Sequence, residues 1–136
     1  MALKIIRNSA FAVTNNQIFK FDFSSGEYKK INVIENFEFK EPLLEYFEQQ
    51  SSLVIFEGAQ VFILNLRTKD LQSHKLPKID AIYKSDEETV LAISGGELLE
   101  VKIFQKLYNY LQGSKLPERG VFEVPVYTDG VFWNIQ

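Results

Sequence analysis

The sequence predicts a mainly β fold built from repeated antiparallel meanders, and three observations carry that expectation. Hydrophobic residues make up 46% of the chain and aromatic ones 14%, with twelve Phe and six Tyr among them, residues that suit a pleated surface. The stretch VIFEGAQVFILNL, residues 54–66, reads as an apolar run, a short break with a glycine, and a second apolar run. The same formula returns elsewhere in the chain. A length of 136 residues fits one domain, 1–136, large enough to bury about two-thirds of its unfolded surface without metals or disulfides.

The first echo lies near the N-terminus, in AVTNNQIFKFDFSSGEYKKI. Setting Ile18 on Val61, 43 positions on, brings Phe19 onto Phe62, Phe21 onto Leu64, Asp22 onto Asn65 and Phe23 onto Leu66. Ser25 then meets Thr68, Glu27 meets Asp70 and Tyr28 meets Leu71. FDFSSGEY and LNLRTKDL thus share one formula: apolar, Asp or Asn, apolar, a polar turn, an apolar restart. Alternation puts Phe19, Phe21 and Phe23 on one face of a strand and Lys20 and Asp22 on the other. NNQ, SSGE, EGAQ and RTKD supply the Asn, Gly, Ser and Asp that tight connections need. VLAISGGELLEV repeats the hairpin with Leu98 in the place of Val61. VPVYTDGVFWNI repeats it again with Val131, behind the strong turn signal Asp129-Gly130.

Antiparallel units recurring every 33–43 residues mark a propeller or another repeated-sheet architecture. An irregular sandwich or barrel would use the same strands. FKFDFSSGEYKKI and FILNLRTKDLQSHKL resemble the outer strands of β-propeller blades of the WD40-like kind. IDAIYKSDEETVLAISGGELLEV is similar to the inner strands of such a blade. The resemblance covers most of residues 10–101 and implies a propeller-like arrangement. The Gly-His and Trp-Asp signatures of that family have no counterpart, since the lone histidine is His74 and Trp133 precedes Asn134.

Two segments break the repeat. In EPLLEYFEQQ, residues 41–50, Pro42 suits a first helical position and Leu43, Leu44 and Phe47 form one stripe, so a short helix is expected there. In VKIFQKLYNYLQG, Val101, Phe104, Leu107, Tyr108 and Leu111 share a helical face, and Gly113 supplies a stop. A second helix is expected over residues 102–112.

Composition excludes several kinds of chemistry. A net charge of −3 gives no reason to expect nucleic acid or an anionic membrane as a partner. The absence of cysteine removes disulfides, thiolate catalysis and Cys-ligated metals, and fits a reducing, cytoplasmic setting. Lys4, Arg7 and Asn8 interrupt the N-terminal apolar stretch, so no leader is expected, and no segment reaches the ~20 apolar residues of a membrane span. The chain reads as soluble. His74 lies on an outer strand with neither an orienting carboxylate nor a nucleophile in view. Ser85-Asp86-Glu87-Glu88 reads as a solvated turn and Gly95-Gly96 as a hairpin turn. No cofactor, metal site or catalytic residue is expected.

The functional expectation is a non-enzymatic protein-interaction or assembly module. ENFEFKEP places Phe37 and Phe39 on one side of an extended segment. Its plain reading is a strand with both rings on its inner face. The sharper one joins them with Tyr46 as an exposed aromatic anchor for a protein partner. GVFWNIQ ends inside a strand pattern, which calls for pairing with ALKIIR or with another chain, as in a homodimer through edge strands. The alternatives are a small ligand-binding protein with an aromatic-lined pocket and a phage or bacterial accessory protein of the immunity type.

Overall fold

The computed structural model describes residues 2–104, and the backbone of 121–124, 127–128 and 131–132. The first sheet contains β1 (Ala2–Ile6), β2 (Ser9–Thr14), β3 (Gln17–Asp22) and β4 (Glu27–Val33). The middle sheet contains β5 (Leu43–Phe47), β6 (Ser52–Glu57), β7 (Gln60–Asn65) and β8 (Leu71–Lys75). The third contains β9 (Ala81–Lys84), β10 (Thr89–Ser94), β11 (Glu97–Ile103) and β12 (Val121–Val124). A two-stranded pair, β13 (Tyr127–Thr128) and β14 (Val131–Phe132), follows.

The first and middle sheets are antiparallel meanders in chain order. The third is a meander through β11 and then departs from the formula, because β12 pairs parallel to β11.

The repeat read from the sequence is real in three dimensions. Ile18, Val61 and Leu98 are each the second residue of the third strand in a sheet, and each lies opposite the strand before it: Val13, Phe56 and Ile93. All three strands follow a two-residue turn whose first residue has positive φ: Asn15, Gly58 and Gly95. Val131 departs by one position, being the first residue of β14, in a two-stranded sheet rather than a four-stranded one.

The next turn is also repeated, organised in each sheet by the Oδ1 of Asp22 or Asn65. Asp22 Oδ1 accepts hydrogen bonds from the Ser24 amide (2.9 Å) and hydroxyl (2.6 Å), which holds this carboxyl below its ordinary pKa. Asn65 Oδ1 does the same work for the amides of Arg67 (2.9 Å) and Thr68 (3.1 Å). Ser25 and Thr68 then accept from the amides of Glu27 and Asp70, each at 3.2 Å. The chain closes through Gly26 N–H to Asp22 O and Lys69 N–H to Asn65 O, both 2.8 Å. Gly26 takes φ 74° freely, whereas Lys69 is held at φ 69°, a conformation that a side chain disfavours. Lys69→Gly is therefore expected to stabilise the protein by about 0.5–1 kcal/mol, read as a higher urea midpoint at unchanged slope.

The expected helix at residues 41–50 is not formed. Leu43–Phe47 is a strand, paired with Ser52–Phe56 of β6, and a turn follows it. The cause is two-sided burial. Leu43 and Phe47 pack towards the third sheet, while Leu44 and Tyr46 pack towards the first, so the strand shows no polar face to set a period of two. The second expected helix, at 102–112, begins on residues that continue β11 through Ile103. Its residues 105–112 lie outside the described region.

The three sheets stack face to face with the middle one sheltered on both sides. Val54, Phe56, Val61 and Ile63 face the third sheet, where Val90, Ala92, Leu99 and Val101 meet them. Leu53, Ile55, Phe62 and Leu64 face the first sheet, where Phe11, Val13 and Ile18 meet them. Strict alternation in β6 and β7 thus explains why VIFEGAQVFILNL is apolar without a break in either strand.

The first strands of successive sheets touch, β1 against β5 and β5 against β9. Lys4 on β1 reaches Glu45 on β5 at 3.1 Å, and Lys84 on β9 reaches the Tyr46 carbonyl at 3.1 Å. The links between sheets are pinned in one way as well. Ile34 and Phe39 donate their amides to Asn16 O (2.8 Å) and Asn15 O (2.6 Å), while Leu76 and Ile79 donate to Ala59 O and Gly58 O, both 2.9 Å. Each connection is thereby fastened to the hairpin turn of the sheet that it leaves.

Candidate functional site: the outer face of the first sheet

Of the residues singled out in the sequence as an aromatic anchor, Phe39 is buried and Phe37 and Tyr46 are half-buried. The segment that carries Phe37 and Phe39 is an irregular connection rather than a strand. Its two rings close on Phe62, with centroids 4.8 Å (Phe37) and 5.4 Å (Phe39) away, and lie 5.0 Å from each other. Tyr46 stacks on Phe11 at 5.4 Å, and burial together with the nearby Glu48 carboxylate raises its phenol above the ordinary value. All three rings join the cluster between the first and middle sheets. His74 is half-buried on β8, opposite Val61.

The open aromatic surface lies elsewhere. The first sheet presents Ile18 and Val13 to the middle sheet, so alternation turns Phe19, Phe21 and Phe23 to its other side. There they meet Leu3, Ala10, Ala12, Thr14 and Tyr28 around a depression of about 370 Å³. Phe21 and Phe23 lie 5.1 Å apart, and Phe19 meets Tyr28 edge-on at 6.2 Å. The small side chains of Ala10 and Ala12 on β2 leave the floor low between these rings. Leu3 is 57% exposed, Phe23 49% and Tyr28 70%. Among the described residues this face carries no covering element.

The sequence showed the alternation of Phe19, Phe21 and Phe23 on one side of a strand. It did not show which side faces the core, because that depends on the first sheet standing at the end of the stack.

Among the described residues the third sheet is the last of the stack at its other side. Tyr83 is 70% exposed, Ile93 39% and Leu98 65%. They share the face away from Val90, Ala92, Leu99 and Val101.

No family model matches the sequence, and no curated protein matches it. A solved structure, "Crystal Structure of Mitotic Checkpoint Complex", holds a chain that is similar over 68% of this chain with 10% sequence identity and a TM-score of 0.49. The match spans 29% of the length of that chain. Among the described residues no group of three or more His, Asp or Glu side chains is placed to hold a metal ion, and no helix is long and apolar enough to cross a membrane.

The depression offers shape and apolar contact but little for reaction chemistry. Among the described residues its lining has no ionisable group apart from the phenol of Tyr28, and Thr14 brings the only other polar side chain. What such a face does physically is shed water when another apolar surface covers it, at about 25 cal/mol per Å².

Proposed function

We propose that the protein is a non-enzymatic β-repeat assembly module, propeller-like in that successive four-stranded sheets stack around their first strands. It works by presenting the outer face of the first sheet to a protein partner. The observation that carries this reading is the apolar depression of Leu3, Ala10, Ala12, Phe19, Phe21, Phe23 and Tyr28, lying open on a sheet face. Large exposed apolar patches on globular proteins mark interaction surfaces, and aromatic rings contribute most to binding.

A second reading is a small-molecule site, because about 370 Å³ falls within the range of ligand pockets. The openness of the face favours a protein, since ligand pockets bury about 70–90% of a small molecule and Tyr28, Phe23 and Leu3 stand well out in solvent.

The test is affinity capture from source cells with wild-type and Tyr28→Lys baits, beside a thermal-shift screen against lipids and aromatic metabolites. Proteins retained by the wild type and lost with Tyr28→Lys are expected, with no shift in the screen. An identical set on both baits, or a ligand shift abolished by Tyr28→Lys, would overturn the reading.

A further inference from the structure

We infer that the partner seated on the outer face of the first sheet is a second copy of this chain, docked through the outer face of its third sheet. This rests on the assembly reading above and adds the identity of the occupant.

The repeat itself supplies the argument. By strand register, each residue on the outer face of the first sheet has a counterpart on the middle sheet. Ala12 pairs with Leu3 and Phe19, as Ile55 pairs with Leu44 and Phe62. Ala10 pairs with Ile5 and Phe21, as Leu53 pairs with Tyr46 and Leu64. Leu44, Tyr46, Leu53, Ile55, Phe62 and Leu64 are the middle-sheet half of a contact already made, packed against the first sheet. The open face is therefore the same half of the same contact, without its cover.

What covers that half inside the protein is a sheet face led by Phe11, Val13 and Ile18. The register finds the counterparts of these three in the third sheet: Leu91, Ile93 and Leu98. Ala81 stands where Ala2 does, opposite Ile93 as Ala2 is opposite Val13. Glu100, bonded to Lys102 at 3.5 Å, takes the outer end of the row as the exposed Lys20 does in the first sheet. Among the described residues, one chain thus carries both halves of its own internal contact, exposed on the outer faces of its first and third sheets. Stacked repeat arrays that stay separate end in units with a polar outer face. Among the described residues the two outer faces are led instead by Leu3, Phe23 and Tyr28 and by Tyr83, Ile93 and Leu98.

A contact of this kind is head-to-tail, using different surfaces on the two copies. Two copies form a ring if the rotation closes, and longer arrays if it does not.

Sedimentation velocity over a concentration series tests it on the full chain, with Tyr28→Lys on one face and Leu98→Lys on the other. Both positions are mostly exposed, so both variants should fold, which circular dichroism checks. The wild type is expected to associate as concentration rises. Each variant alone should weaken that association at least tenfold. An equimolar mixture should recover a dimer and nothing larger, because only one intact pair of faces remains. No recovery in the mixture would mean like-with-like contact and would overturn the proposal. A wild type that stays monomeric while Tyr28→Lys strips its captured proteins would overturn the second copy alone and leave the assembly reading standing. Association unaffected by either variant would remove both.

Discussion

Phe62→Ala is expected to cost the protein about 3–5 kcal/mol of stability. The residue is 4% exposed on the face of the middle sheet that meets the first, and its ring is the common contact of Phe37 and Phe39. Truncation removes the transfer energy of the ring, leaves a cavity between two sheets that are tied by hydrogen bonds and cannot simply collapse, and loses edge-to-face contacts worth about 0.5–1.5 kcal/mol each. Domains are stable by only about 5–15 kcal/mol, so the guanidinium midpoint should fall steeply at an unchanged slope. Phe62→Leu should recover more than half of the loss. A drop under about 1 kcal/mol would show that Phe62 does not pack as described.

Phe47→Ala is expected to cost a similar ~3–5 kcal/mol at the other side of the middle sheet. Phe47 is fully buried, its ring lies 5.3 Å from that of Phe104, and the Lys84 ammonium stands 5.0 Å above it. Removing the ring also removes that cation–π contact, yet Lys84 keeps Glu87 at 3.0 Å and the Tyr46 carbonyl at 3.1 Å and is not left stranded. Phe47 and Phe62 belong to separate clusters, one on each face of the middle sheet. The losses in the double variant should therefore add to within about 0.5 kcal/mol. Loss of one cluster with survival of the other would appear as a second transition in the unfolding curve, and a single transition is expected.

Most of the fold was written in local pattern. The turn residues of NNQ, EGAQ and SGGE set three equivalent hairpins, and Asp22 and Asn65 organise equivalent turns through the same side-chain oxygen. These are short-range effects, visible to any reading that knows what a tight turn needs. The strand Leu43–Phe47 was misread because burial on both faces erases the polar positions that distinguish a strand from a helix. Which aromatic rings stand open is decided at long range. Phe37 and Phe39 look like anchors between charged neighbours, but the links to the Asn15 carbonyl and to Phe62 fold them inward. Phe19, Phe21 and Phe23 look like core by the same alternation that serves Phe62 and Leu64, and differ only in what lies opposite. The closing of the chain through ALKIIR and GVFWNIQ is likewise not seen among the described residues, where β1 pairs with β2 and Val131–Phe132 with β13.

The rims of the first two sheets behave unlike their broad sides. In β4 the run Glu27, Tyr28, Lys29, Lys30 is exposed throughout, and β8 ends on the exposed Lys75. Lysines along a free ladder repel a further strand and keep it hydrated. Ribbon extension of the amyloid type is thus resisted at the very borders where it would start. Lamination of one molecule upon another meets no such barrier among the described residues, so the association proposed above should join molecules broad side to broad side and not rim to rim.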